Sequence, residues 1–372
     1  MFKNKNQSIL DTSAKLFLLY LFSKGLFFII YRIIYIVVEN TKDEEVEKIN
    51  NKNIRTDLAI EAREMIHEEI PGVIINQEAK DNIKITRVQI EKKAGEKIMG
   101  KPIGNYITLE IPKIRDQGEE FKEEVAKVMA IELREIVKDG INKDATTLVV
   151  GLGNWNITPD ALGPKVISRL MVTRHLLENI PDMVDEELTP VCAVAPGVLG
   201  LTGIETGEII KGVVEKVKPD QVIAIDALAS RRMERVNTTI QIADTGISPG
   251  SGVGNKRKAL NKETLGVPVI AIGVPTVVDA TTLANDTIDL MLDAMIEESA
   301  KGKEFYNMLK EINREEKHLL IKQILHPYVG DLMVTPKEVD LIINDISVVV
   351  ANGLNIALHP GIDLSDVNRY VN

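Results

Sequence analysis

The sequence of 372 residues predicts an α/β fold: a mainly parallel central sheet flanked by helices, in a single large domain with insertions. Three observations carry that prediction. Five runs, "TLVVGLG" (147–153), "VCAVAPG" (191–197), "QVIAIDALA" (221–229), "TTIQIAD" (238–244) and "VPVIAIGVP" (267–275), are almost continuously apolar, as strands covered on both faces are. Helical segments such as "GIETGEIIKGVVEKV" (203–217) fall between most of them. A composition of 44% hydrophobic and 27% charged residues lets a chain of this length bury a full core.

Taken in order, residues 1–40 stand apart as an atypical apolar extension. Eight of the fifteen aromatic residues (Phe2, Phe17, Tyr20, Phe22, Phe27, Phe28, Tyr31 and Tyr35) lie there. The stretch "LFLLYLFSKGLFFIIYRIIYIVV" (16–38) is long enough to cross a bilayer, but Lys24 and Arg32 would each cost roughly 2.5–3.5 kcal/mol near its centre. No small-residue cleavage site follows it. Phe, Ile, Lys, Asn, Tyr and Leu are what AT-rich DNA encodes by chance, so the segment reads first as translation from a mis-assigned start, second as an anchor and third as a signal peptide. Residues 41–57 are charged and poor in large apolar side chains, which suits a connector.

The compact domain is expected over 58–372. "NIKITRVQI" (82–90) and "NYITLEIP" (105–112) read as strands, and "EEFKEEVAKVMAIELREIVKDG" (119–140) as an amphipathic helix stopped by Gly140. The five buried runs follow. The charged segment 297–320 reads as a helical insertion or solvated face, and "PKEVDLIINDISVVVANGLNIALH" (336–359) as a last helix packed back on the sheet. No internal repeat is visible.

A net charge of −10 removes the electrostatic reason for binding nucleic acid. A single cysteine, Cys192, excludes an internal disulfide and a cysteine-built metal site, and its apolar setting favours a packing role. The five histidines show no H-x-x-x-H spacing, so no metal or other cofactor is expected.

In open α/β sheets, sites form beyond the carboxyl ends of strands. "VVGLGNWNITPDALGP" (149–164) lacks the third glycine of a dinucleotide fingerprint and the Gly-Lys-Ser/Thr of a P-loop. It offers instead the carboxylate of Asp160, while "VIAIDALA" runs straight into Asp226. Each aspartate alone fits a structural or capping role as well as a functional one. Two at one sheet edge favour a pair that shares protons, with one acting as base toward water and the other as acid toward a leaving amine.

Around them, Asp244 after "TTIQIA" is a candidate third member and equally a turn-former before Thr-Gly. Arg231 and Arg232 in "ASRRMER" would lower the pKa of Asp226 or bind an acidic residue of a substrate. The loop 246–260 carries Lys256, Arg257 and Lys258, which suit an acidic peptide and equally a solvated loop.

The stretches "RTDLAIEARE" (55–64), "VVGLGNWNITPDALGPKV" (149–166), "TGIETGEII" (202–210), "AIDALASRRMERVNTTIQIADTGISPGSGVGNKRK" (224–258), "PTVVDATTL" (275–283) and "LMVTPKEVD" (332–340) together resemble the germination protease of endospore-forming bacteria. The resemblance runs from about Ile54 to the C-terminus. It implies an endopeptidase that degrades small acid-soluble spore proteins during germination, a homotetramer, the cytoplasm of the forespore or spore core as its location, and Asp160 and Asp226 as the catalytic pair. It also implies a fold similar to the hydrogenase-maturation endopeptidases, whose strand-turn motif is close to "GLGN…TPD". Those enzymes hold a metal with two acids and a histidine; "TTIQIADTGI" offers no histidine, which favours a metal-independent, aspartic-type mechanism. A metal-dependent maturation endopeptidase and a membrane-anchored, non-catalytic sensor are the alternatives. Substrates of the family resemble an acidic residue followed by a large apolar residue, alanine, a variable position and glutamate. Asp57-Leu58-Ala59-Ile60-Glu61 repeats that order, so the resemblance implies a zymogen that cleaves its own Asp57–Leu58 bond.

Overall fold

Strands that are apolar on both parities need cover on both faces, and the chain supplies helices for each. The computed structural model describes residues 56–367 except 67, 113, 115–116, 138–143, 186, 251–256, 300–320, 322–323, 325–331 and 364–366. The apolar extension 1–40, the connector up to residue 55, Lys256 and the insertion beyond Ser299 lie almost wholly outside the described residues.

In chain order the elements are α1 (Ala59–Glu64), β1 (Val73–Lys80), β2 (Ile83–Ile90), α2 (Lys93–Met99), β3 (Gly104–Glu110), α3 (Glu119–Val137), β4 (Thr147–Gly151), α4 (Leu162–Ile167), α5 (Arg174–Asn179), β5 (Val191–Val194), α6 (Leu199–Thr202), α7 (Thr206–Val217), β6 (Gln221–Ser230), β7 (Thr239–Ala243), α8 (Lys262–Leu265), β8 (Val269–Asp279), α9 (Ala280–Ser299), β9 (Met333–Val334) and α10 (Val339–Leu358). They build one sheet in the order β1-β2-β3-β7-β8-β6-β4-β5, with β9 on β8.

The α/β class is as expected, and the sheet is mixed. Strands β8, β6, β4 and β5 form a parallel half. Strands β1, β2, β3 and β7 extend it antiparallel, and β7 meets β8 antiparallel as well. Strand β7 is buried at all five positions, so its composition looks the same whichever way it runs. Strand β1 escapes sequence pattern because it is an edge strand, exposed at seven of eight positions. Its pairing with β2 closes through Asp81-Asn82, where Asp81 adopts a φ of 52°.

Alternation along the strands divides the core. Ile107, Leu109, Ile223, Ile225, Ile240, Ile242, Ile270 and Ile272 point to the face covered by α3 and α10. Leu148, Val150, Val222 and Ala224 point the other way, against Ile210 and Val214 of α7. On that second face Val88, Ile90, Tyr106 and Ala243 pack with α1 and α2. Helix α10 is long and apolar enough to cross a membrane, but it is mostly buried against α3 and the sheet, as a core helix is.

Two buried polar residues fix α10. Asn355 accepts from the Met171 N–H at 2.9 Å and donates to the Arg169 carbonyl at 3.2 Å. His359 is fully buried; Nδ1 accepts from the Thr189 N–H at 3.3 Å while Nε2 faces the Met171 carbonyl at 3.4 Å. Burial holds its pKa down at about 4, so the ring is neutral in the fold. A depressed base contributes stability that is present above its unfolded pKa and lost as pH falls toward the folded one. Denaturant titrations should therefore show a loss of roughly 3 kcal/mol between pH 6.5 and 4 that His359→Gln lacks.

Candidate active site

The parallel half opens on the face of α1, α2 and α7, and the end of β4 delivers the first acid. Leu152 still donates to Ile225 at 2.8 Å, then the chain turns at Gly153, whose φ is +111°. A Cβ there would stand 1.9 Å from the Asp160 carbonyl oxygen, so only glycine fits. The loop closes on itself: Asn154 N–H donates to that same carbonyl at 3.0 Å, and the Asn154 side chain accepts from Asn156 N–H at 3.0 Å. Asp160 completes a 3-10 turn, Thr158–Asp160, which packs against β6 and β8 and is tied to α10 by Thr158 Oγ1 donating to Asp340 at 2.7 Å. No side chain caps α4, so the capping role open to Asp160 is not taken.

Asp226 lies inside β6 rather than at its end. Pairing with β8 continues through Ser230 because "ALAS" still fits the ladder. The residue is 6% exposed, and its carboxyl group accepts from Ala227 N–H at 2.9 Å. Burial pushes its pKa well above the ordinary carboxylate range, and the nearby charges of Asp160 and Asp57 push it further. Burial likewise pushes Asp160 up to about 6, against the pull of the Asn154 N–H and of Arg257. Two carboxyl groups with separated proton affinities can hold an acid and a base side by side near neutral pH.

The segment Thr56–Glu61 lies across this face. Asp57 pairs with Ala229, its N–H donating to the Ala229 carbonyl at 3.0 Å and its Oδ2 accepting from the Ala229 N–H at 2.9 Å. Its carbonyl oxygen accepts from Lys101 Nζ at 2.8 Å and from Gln241 Nε2 at 3.3 Å. Gln241 Oε1 accepts from the Ala59 N–H at 2.6 Å. Leu58 is fully buried with Ile60, Leu228 and Ile247. Glu61 is 1% exposed; it accepts from the backbone N–H groups of Arg231 at 2.6 Å and Arg232 at 3.0 Å, from Thr56 Oγ1, and faces Arg235 at 3.4 Å.

Register explains which residues meet. Gln241 pairs with Gly273, and Gly273 with Asp226, so the three stand in one row on one face. Asp244 does not join them. Because β7 runs antiparallel, it delivers Asp244 to the opposite edge, three residues and about 10 Å along the strand from Gln241. There both its oxygens accept from Asn105, at 2.8 Å and 2.6 Å. Arg231 and Arg232 turn their guanidinium groups to Asp286 and Glu64 and engage Glu61 through backbone alone, while Arg235 supplies the buried cation. Arg257 reaches both Asp160 and Asp226 electrostatically, Lys258 is exposed, and Lys256 is outside the described residues. Lys101, Gln241 and Arg235 are the neighbours that pattern missed. Their signal is only that a polar Gln interrupts the apolar "TTIQIA". Cys192 is half-buried beside the α7 core, and burial keeps its thiol protonated. Among the described residues no group of three or more His, Cys, Asp or Glu could hold a metal ion.

The germination protease family matches residues 48–304 and 293–371. The chain belongs to the germination protease family. It is 59% identical over 324 residues to a germination protease of Clostridium tetani, covering 86% of this chain and 100% of that one. It is 56% identical over 325 residues to one of Clostridium perfringens, covering 86% and 99%. It is 47% identical over 360 residues to one of Bacillus cereus, covering 87% and 98%. A member of the germination protease family is a spore germination endopeptidase acting on protein substrates. Gly153→Ala should lower stability by roughly 2–5 kcal/mol in denaturant unfolding, from the left-handed φ and the contact with the Asp160 carbonyl combined.

Proposed function

We propose that the chain is the zymogen of an aspartic-type endopeptidase, with Asp160 and Asp226 as the catalytic pair and Asp57–Leu58 as its own processing bond. Residues up to Asp57 are then the propeptide, and Leu58 begins the mature enzyme. One observation supports this above the rest: each of the five residues Asp57 to Glu61 is held by a feature of the face that carries the two acids. Asp57 meets Ala229, Leu58 an apolar pocket, Ala59 the Gln241 amide, Ile60 the same apolar cluster, and Glu61 two backbone N–H groups and Arg235.

The order of proton affinities assigns the roles. Asp160, pushed up to about 6, ionises above that pH, while burial and the charges of Asp160 and Asp57 favour the protonated form of Asp226. Asp160 is then the base that takes a proton from water, and Asp226 the acid that gives one to the leaving nitrogen of Leu58. The sequence order and the pockets suit small acid-soluble spore proteins as substrates in the forespore or spore core, cut before a large apolar residue with glutamate three residues further on. A homotetramer is the assembly the family resemblance leads one to expect. Arg257, with Lys256 and Lys258 beside it, would attract such acidic peptides.

The experiment is to incubate the precursor, sequence the new N-terminus and repeat with variants. Asp160→Asn and Asp226→Asn should fold and lose processing by about 10³-fold or more, because neither acid can supply the other's role. Processing at another bond, or at the wild-type rate in either variant, would refute the assignment. For the processed enzyme acting on a peptide, kcat should fall on acidification with a midpoint near pH 6, as Asp160 takes up a proton. A profile flat from pH 7.5 to 5 would remove Asp160 as the base.

Ionising Asp160 in the fold costs stability, so the same substitution carries a second signature. A raised acid gives stability that is present below its unfolded pKa and lost as pH rises through about 6. Asp160→Asn should therefore be more stable than the parent at pH 7.5 and no more stable at pH 3.5, in thermal or denaturant unfolding.

A further inference from the structure

Lys101 has no part in the acid pair, yet it points at the bond that pair would cut. Its loop follows α2 and is pinned by buried Tyr106, whose hydroxyl donates to the Pro102 carbonyl at 2.8 Å. From there Lys101 Nζ reaches the Asp57 carbonyl oxygen at 2.8 Å, with the Thr56 carbonyl at 3.4 Å as its other acceptor. Gln241 Nε2 meets the same Asp57 oxygen at 3.3 Å, and Gln241 Oε1 holds Ala59 N–H beyond the bond. The carbonyl of the Asp57–Leu58 peptide thus faces two donors, one of them a cation, while the amide nitrogen of Leu58 is turned to Thr56 Oγ1 at 3.1 Å.

We propose that Lys101 and Gln241 form the oxyanion-stabilising site of this peptidase, with Lys101 Nζ as the principal electrophile and the Gln241 amide as a clamp across the scissile bond. The inference rests on the aspartic reading above and assigns the half of the chemistry that two carboxyl groups cannot perform. When water bonds to the Asp57 carbonyl carbon, its proton passes to the carboxylate and the carbonyl π pair moves onto oxygen. The negative charge forms where Lys101 and Gln241 already donate. Collapse returns that pair, breaks the C–N bond and sends the Leu58 nitrogen away with the proton of the second carboxyl group. Donors already in place need no reorganisation as charge develops.

The charge balance suits the role. Burial holds the proton affinity of Lys101 below its ordinary value, and the carboxylates of Asp57 and Glu61 oppose that shift in part. The charges that favour its ammonium form thus stand on the substrate-like segment itself, in the acidic residue before the bond and the glutamate after it.

The test uses the full-length precursor and, in trans, the processed enzyme with a peptide carrying Asp-Leu-Ala-Ile-Glu. Lys101→Met should slow self-processing and lower kcat by about 10²-fold or more, with KM changed by less than about threefold. Gln241→Ala should add to the defect. In Lys101→Ala, added ethylammonium should restore part of kcat, a response that a residue needed only for folding would not give; thermal unfolding controls for the fold. Wild-type kcat in Lys101→Met would overturn the proposal, as would a loss confined to KM or a Lys101→Ala protein that folds and ignores ethylammonium. Asp160→Asn and Asp226→Asn run alongside separate the two readings. If they are inactive while Lys101→Met is unimpaired, only the oxyanion site falls; if either is active, the aspartic pair falls whatever Lys101 does.

Discussion

A carboxyl group sits in the middle of a buried strand, and the site is arranged around the consequences. Asp226 is 6% exposed with apolar residues before it and a continuing strand after it. Ionising such a group without a partner costs several kcal/mol, so its protonated form is favoured. Asp160 and Asp57 raise its proton affinity further. A shape requirement follows from the same placement. The row through Asp226 runs over Gly273, where a Cβ would stand 2.3 Å from Leu228 Cδ1. Without that side chain Leu228 can lie down on the sheet, and Leu58 packs against it.

The docked segment is held by many modest interactions rather than one strong one. Burial of Leu58 is worth about 1.5–3 kcal/mol, and each neutral hydrogen bond about 0.5–1.5 kcal/mol net. Glu61 is the exception in kind. It is a charge taken almost wholly out of water, which is tolerable because two backbone N–H groups, a hydroxyl and Arg235 surround it. Arg235 is itself shared with Glu64 at 2.6 Å and Glu110 at 3.0 Å, which links helix α1 to the end of β3. One guanidinium group thus serves both the buried Glu61 and the anchoring of the first helix.

Much of this was legible in the sequence, for identifiable reasons. Apolar runs gave the places of β4, β5, β6 and β8, because strands covered on both faces leave no other pattern, although β5 ends three residues before its run does and β8 continues four residues beyond its own. Asp226 stood out because an acid within such a run is costly, and Asp160 because it closes the turn after another. What failed was direction. Strand β7 is as apolar as its parallel neighbours, and nothing local states that it runs the other way; its reversal carries Asp244 to the far edge and sets Gln241 in the row of Asp226, with Gly273 between them. Lys101 was invisible for a related reason, since a lone lysine in "GKPIGN" gains meaning only when α2 and β3 aim it across the sheet. Arg231 and Arg232 drew notice by their charge, whereas the fold uses their backbone N–H groups.

The central claim is that the scissile peptide already occupies the site of the molecule that carries it. The concentration dependence of precursor processing tests this most directly. If Asp57–Leu58 is docked in its own site, the first-order rate constant for appearance of the Leu58 N-terminus should be unchanged over a hundredfold dilution. A rate constant that falls in proportion to protein concentration would show that one molecule cuts another, and would contradict the account.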